Sequence, residues 1–360
     1  MSSLEKHPDM IVREQEPLNG GPPPHLITRS YVTPNDLFFV RSHAPVPQID
    51  PEEYRLSIDG LVDRPVELSL GELQELPRVR LHATLQCAGN RRTDLFALAD
   101  VPGEVPWGDE AISHAEWGGV SLAHILQRAG VKRGAGHVEF IGLDECQKGG
   151  QSFGFGGSVP LRKALSGEVL VATEMNGEPL APMHGYPARI VTPGYIGARS
   201  VKWVGKINLL DHPSENYYQS RAYRLFPSHV DPSNVDWESG LMLGELSVNA
   251  AIAQPQPEVS LAPGSVTVCG YSQAGGERRV ARVDVSADGG ESWIEAKLGE
   301  ARPWSWRFWS AEVELSEGEH VLIARAWDSA GNSQPESPRQ TWNFKGYMNN
   351  AWSRVTVKVG

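Results

Sequence analysis

No stretch of this 360-residue sequence approaches the roughly 20 consecutive apolar residues that a bilayer-spanning helix needs, so membrane insertion is not expected. Cysteine is scarce. Cys87, Cys146 and Cys269 are odd in number and far apart, which excludes a disulfide framework, offers no Cys-x-x-Cys pair and leaves at least one thiol free. His184, His212 and His229 are equally scattered and no His-Glu-x-x-His occurs, so a zinc site is not expected. The glycine-rich run Gly150 to Gly157 lacks both the Gly-Lys-Ser/Thr ending and the helix start of nucleotide cradles, and reads as a flexible loop. Positive charge is also short: the net charge of -11 argues against nucleic acid and anionic membrane surfaces as partners. Met1 to Pro24 has neither an apolar signal core nor an arginine pair, so the cytoplasm is the expected compartment. A periplasmic protein stripped of its leader would read the same way.

What is present is a folded-protein composition, 40% hydrophobic and 21% charged with 11 Trp, over a length that implies two or three units. Residues 1–30 read as an irregular, Pro/Gly-rich leader. Glu53 to Leu61 alternates apolar and polar residues as a half-buried strand does. Ser69 and Glu72 form a capping-box pattern that opens a short helix ending before Pro77. Ser121 to Ala129 places Leu122, Ile125, Leu126 and Ala129 on one helical face, with Gly130 as the stop. Apolar strands at Val138 to Leu143, Val169 to Thr173 and Ala188 to Val191 complete a mixed α+β unit over residues 31–252. The proline-spaced stretch Ala253 to Pro257 marks a linker. Beyond it, residues 253–360 hold only short strands and tight turns, the pattern of an all-β sandwich that is immunoglobulin-like in architecture but lacks a Cys-Trp-Cys signature.

Chemistry concentrates at Leu85 to Arg92, where an apolar strand runs into Cys87-Ala88-Gly89-Asn90-Arg91-Arg92. Flanking guanidinium charge and a small turn favour the thiolate, which is both nucleophile and metal ligand. Taken alone, Cys87 reads equally well as a buried structural cysteine beside surface arginines.

The same octapeptide matches the cysteine motif of the sulfite oxidase family at every position, and further blocks resemble that family in order. They are Phe38 to His43 (with Ser42 where Asn is usual), Trp107 to Gly119, Gly142 to Asp144, His184 with Tyr186 to Arg189, Gly197 to Trp203, and Trp342 to Gly346. The resemblance implies a mixed α/β molybdopterin domain followed by an immunoglobulin-like dimerisation domain. It implies a molybdenum-molybdopterin cofactor whose metal Cys87 ligates, a soft thiolate suiting such a metal. Phe39, Val40, Arg41, Ser42, His43, Asp144, His184, Arg189, Ser200, Val201 and Lys202 are implied to hold the pterin and its phosphate. Singly, His184 also reads as a structural histidine and Asp144 as a turn residue.

For the substrate, a small oxyanion such as sulfite, the resemblance implies Arg41, Arg92, Trp107, Tyr223 and Lys345. Lys345 stands where the family carries arginine, which turns a planar fork into a point charge; displaced from the site, it would be a solvated surface lysine. Oxygen-atom transfer would then run with Cys87 on the metal, Arg41 orienting the anion and Tyr223 near the reacting oxygen. Asn216 to Tyr218, Arg224 to Asp231 and Met348 to Asn350 look instead like eukaryotic assimilatory nitrate reductases, yet those enzymes carry Asn and Met where this chain has Tyr223 and Lys345. Nothing resembles a haem or flavin module, so a separate electron acceptor is expected, a cytochrome being one candidate. The alternatives are reduction of nitrate or another oxyanion or S-oxide at the same site, and a non-catalytic scaffold that keeps the fold. A homodimer is expected through the C-terminal domain.

Overall fold

The computed structural model describes residues 5–257 and 259–360. The N-terminal unit is built on two sheets. In the first, Gly156–Pro160, His137–Gly142, Val204–Leu210, Arg55–Gly60 and Val66–Ser69 lie side by side in that order. Only the pair Val204–Leu210 and Arg55–Gly60 is parallel. The second runs Glu178–Pro179, Leu170–Met175, Ile112–Ser121 and Arg78–Gln86, with Arg189–Val191 also paired to Leu170–Met175, and every pairing is antiparallel. The Asn176-Gly177 turn closes a tight hairpin with both residues at positive φ, 54° and 80°.

The described helices are short. Leu70–Glu75 opens with the full capping box: Ser69 Oγ accepts from the Glu72 amide at 3.2 Å, and the Ser69 amide donates to Glu72 at 2.8 Å. Leu122–Ala129 buries Leu122, Ile125, Leu126 and Ala129 and stops at Gly130, whose φ of 73° glycine adopts without a Cβ penalty. No described helix is long and apolar enough to cross a membrane.

The expectation of an irregular first 30 residues is corrected. Ile11–Glu14 pairs with Asn19–Gly21, and a helical turn follows at Pro24–Ile27. The reason is tertiary: the buried Asn19 side chain accepts from the Ser42 amide at 2.8 Å and donates to the Ser42 carbonyl at 3.2 Å, tying the hairpin to the main body.

From Asn249 onward the chain forms two stacked sheets. One orders Asn249–Gln254, Gly264–Gln273, Arg307–Leu315 and Lys297–Leu298. The other orders Ser260–Leu261, Ser353–Val359, Gly318–Asp328, Val280–Ser286 and Ile294–Glu295. Ser353–Val359 shows the period-two logic plainly, burying Ser353, Val355, Val357 and Val359 and exposing the residues between. A shared core of Val268, Val283, Val285, Trp309, Leu322 and Val357 fills the space between the sheets. The two units are joined by directed contacts. Buried Tyr271 donates to the Asp109 carbonyl at 3.0 Å, and the Trp306 indole donates to the Tyr31 carbonyl at 3.0 Å.

Candidate functional site

Cys87 follows directly on the strand Arg78–Gln86, whose last four residues are buried. Sheet pairing ends at Gln86 opposite Ile112, so the chain turns there with the thiol at the rim of a cavity. Cys87 is 6% exposed, and its sulfur accepts from the Gly89 amide at 3.4 Å. The turn continues through Arg91 at φ 63°, a left-handed conformation that a non-glycine residue keeps only when its surroundings hold it. Here the Arg91 amide donates to the Gly108 carbonyl at 2.7 Å.

The arginines beside Cys87 do not serve the thiol as expected. Arg91 donates to Asn249 Oδ1 at 2.9 Å and the Ala351 carbonyl at 2.7 Å, and pairs with Asp94 at 3.1 Å and Asp109 at 3.3 Å. Arg92 donates to the carbonyls of Gly346 at 2.9 Å and Val105 at 2.7 Å, and pairs with Glu104 at 3.3 Å. Each guanidinium is fully engaged by partners that lock loops together.

Around the thiol, one cavity gathers twelve of the expected residues. Phe39, Val40, Arg41, Ser42 and His43 come from the segment after the N-terminal hairpin; Cys87, Asp144, His184, Arg189, Ser200, Lys202 and Tyr223 come from six other places in the sequence. Three cations line the cavity against a single carboxylate, Asp144: Arg189 is buried, and Arg41 and Lys202 are half-buried. Lys202 donates to Ser42 Oγ at 2.6 Å and the Met183 carbonyl at 3.0 Å, while Arg189 donates to the carbonyls of His184 at 3.0 Å and Ser200 at 2.9 Å. Their partners are neutral oxygens, so the charges stay uncompensated. Burial, reinforced by Arg189, pushes the Lys202 pKa well below the usual lysine range; burial alone brings Arg189 down to about 9. Burial also works against Arg41, but Tyr223 and Cys87 beside it outweigh that and raise its pKa.

The neutral groups are placed with equal care. Burial and the charge of Arg41 hold His43 well below the ordinary histidine range, and burial pushes the Tyr223 phenol upward. A neutral imidazole therefore meets a protonated phenol, and Tyr223 Oη lies 3.0 Å from His43 Nε2. His184 is likewise kept neutral by burial and then by Lys6, whose ammonium lies 2.8 Å from its Nε2.

Four expected residues lie outside the cavity lining. Val201 is a core residue, 1% exposed. Trp107 is wholly buried in the cluster that includes Cys87, Phe38 and Phe39, and its indole N–H has no partner. Arg92 and Lys345 meet at Glu104, where Tyr347 also sits, with its ring 5.2 Å from that of Tyr223 and under the Arg92 guanidinium at 5.0 Å. Sequence reasoning passed over Glu104, Tyr347, Lys6 and the cavity-lining Phe155 and Trp203. Tyr347 sits one residue past the Trp342 to Gly346 block and could have been found there, whereas nothing local marks Glu104 or Lys6.

The set fits a large anionic, metal-bearing cofactor. Arg189 and Lys202 donate only to neutral oxygens, the soft Cys87 sulfur faces the same cavity, and outside its lining the Trp107 N–H lacks an acceptor. Among the described residues no three His, Cys, Asp or Glu side chains converge as a metal cage. A metal at Cys87 would have to bring most of its ligands with it.

Comparison with known proteins agrees with this chemistry. Residues 43–218 match a model described as oxidoreductase molybdopterin binding domain, and residues 241–360 one described as Mo-co oxidoreductase dimerisation domain. Mitochondrial sulfite oxidase of Rattus norvegicus is 42% identical over 98% of this chain, which spans 66% of that relative's length. Sulfite oxidase of Arabidopsis thaliana is 38% identical over 99% of this chain and 95% of its own. Among solved structures, the sulfane dehydrogenase SoxCD from Paracoccus pantotrophus superposes with a TM-score of 0.80 at 27% identity, covering 99% of this chain and 87% of that one.

Proposed function

The chain belongs to the sulfite oxidase family of molybdopterin-binding oxidoreductases, and on that premise we propose that it oxidises sulfite to sulfate and passes the electrons to a separate acceptor. The observation that carries this reading is the convergence of the Cys87 thiol, Arg41 and Tyr223 on a cavity in which Arg189 and Lys202 donate only to neutral oxygens. Cys87 would ligate the molybdenum, and Arg189, Lys202 and Ser200 would hold the pterin and its phosphate. When bound, the cofactor supplies the oxygen atom that the substrate gains and takes up the two electrons it loses.

The protein's share is binding, orientation and electrostatics. Arg41, kept charged despite its burial, draws the anion toward Cys87 and holds it where little water competes. Tyr223 keeps its proton, so its O–H can be offered to a substrate oxygen. The Trp107 N–H is a further donor without an acceptor of its own. We read the C-terminal two-sheet unit as an immunoglobulin-like sandwich that pairs two copies of the chain.

The test combines steady-state assays with metal analysis. Molybdenum-replete protein is expected to oxidise sulfite with an artificial acceptor, and Cys87→Ser to lose that activity. Nitrate reduction with a reduced dye but no sulfite oxidation would overturn the substrate assignment, full activity of Cys87→Ser would remove its role as ligand, and purified protein free of molybdenum and pterin would favour a scaffold.

A further inference from the structure

Among the described residues, Glu104 is the one carboxylate that the fold sets against both cations assigned to the substrate outside the cavity lining. Its side chain is 12% exposed; one oxygen lies 3.3 Å from Arg92 Nη2 and the other pairs with Lys345 Nζ. The Tyr347 hydroxyl stands 3.5 Å from each oxygen. Arg92 Nε donates to the Gly346 carbonyl and Nη1 to the Val105 carbonyl, so each of its three nitrogens has a partner. Glu104 is therefore the counter-charge that both cations face while it stays in place.

Resting on the sulfite reading above, we propose that Glu104 is a specificity-determining residue, an internal carboxylate that occupies the anion-binding donors of Arg92 and Lys345 and is displaced from Lys345 when a small oxyanion binds. Two anions cannot share these donors at contact distance, since like charges repel at a cost that rises as water is excluded. The partner that gives way is Lys345. Its ammonium is a compact charge on a flexible four-carbon stem and its side chain is 20% exposed, whereas Arg92 is 2% exposed, fixed by two carbonyls and seated on the Tyr347 ring.

Tyr347 connects this cluster to the cavity by stacking on Tyr223. The charge of Glu104 is also felt at Arg41 and Tyr223. An entering oxyanion is thereby made to compete with an internal one, which lowers its affinity and sets a threshold that weakly held anions fail to cross.

The test is a sulfate titration by calorimetry on pterin-loaded protein, with the KM for sulfite read in parallel. Glu104→Gln should bind sulfate more tightly by roughly two- to fivefold, the range expected for freeing one partly exposed ion pair, and lower the sulfite KM in proportion. In a Lys345→Met background the same change should gain clearly less, because the released ammonium is gone. Glu104→Asp, too short to span both cations, should fall between wild type and Glu104→Gln and serves if Glu104→Gln does not fold. Unchanged or weaker sulfate binding by a folded variant would overturn the proposal, as would an equal gain in both backgrounds. If wild-type protein fails to oxidise sulfite, the functional reading falls, while the sulfate titration still decides the role of Glu104.

Discussion

His114 is wholly buried between the two units, its ring stacked on His82 at 5.4 Å and Trp306 at 5.6 Å. Thr84 Oγ1 lies 2.9 Å from Nδ1, and Nε2 has no partner. Burial, aided by His82, lowers its pKa from 6.5 to about 3. The unfolded chain therefore binds a proton between pH 6.5 and 3 that the folded chain refuses, so stability is fully retained above 6.5 and is lost as pH falls toward 3. The loss across that window is on the order of a few kcal/mol. Urea midpoints of wild type and His114→Gln between pH 6.5 and 3 should show a shallower acid decline in the variant; parallel curves would contradict the assignment. The same physics governs Lys202 and Arg189, whose cost of burial an anionic cofactor would offset.

At the scale of elements, several site residues are delivered by the end of something regular, while Phe39 to His43 come from irregular chain. Cys87 leaves the strand Arg78–Gln86, Lys202 precedes Val204–Leu210, and Tyr223 follows the single helical turn Tyr218–Ala222. Strand ends are useful because ladder hydrogen bonds fix the backbone while the next residue is free to aim its side chain. The short helices depend more on their caps than on length. Ser69→Ala removes the acceptor of the Glu72 amide in the helix Leu70–Glu75, and should lower stability by about 1 kcal/mol, read as a shifted denaturation midpoint with unchanged slope.

For the whole molecule, the decisive tie is Arg91, which rises from the Cys87 loop and donates into the C-terminal unit at Asn249, Ala250 and Ala351. At 3% exposure its removal takes a donor from the buried Asn249 side chain and from the Ala250 and Ala351 carbonyls. Arg91→Ala is expected to cost about 3–5 kcal/mol, measured by urea unfolding. A small effect would mean that the aromatic contacts of Trp306 and Tyr271 join the units alone. The C-terminal unit is also where the proposed pairing of two copies is decided. Sedimentation equilibrium should return twice the chain mass, and a monomer at all concentrations would remove the homodimer.

The sequence by itself determined the elements whose cause is local. The capping box at Ser69 and Glu72, the helical face of Leu122 to Ala129, the Asn176-Gly177 turn and the alternation of the C-terminal strands all rest on neighbours within a few residues. The cysteine motif and its ordered blocks also carried the family, through resemblance. What the tertiary structure decided is which charges meet. Arg91 and Arg92 adjoin Cys87 in sequence yet spend their donors elsewhere, while Arg41, Lys202 and Tyr223, remote along the chain, share its cavity. Glu104 and Lys345 stand 241 residues apart, and Lys6 reaches His184 across 178. Electrostatic partnership depends on distance and burial, and neither is a function of spacing along the chain.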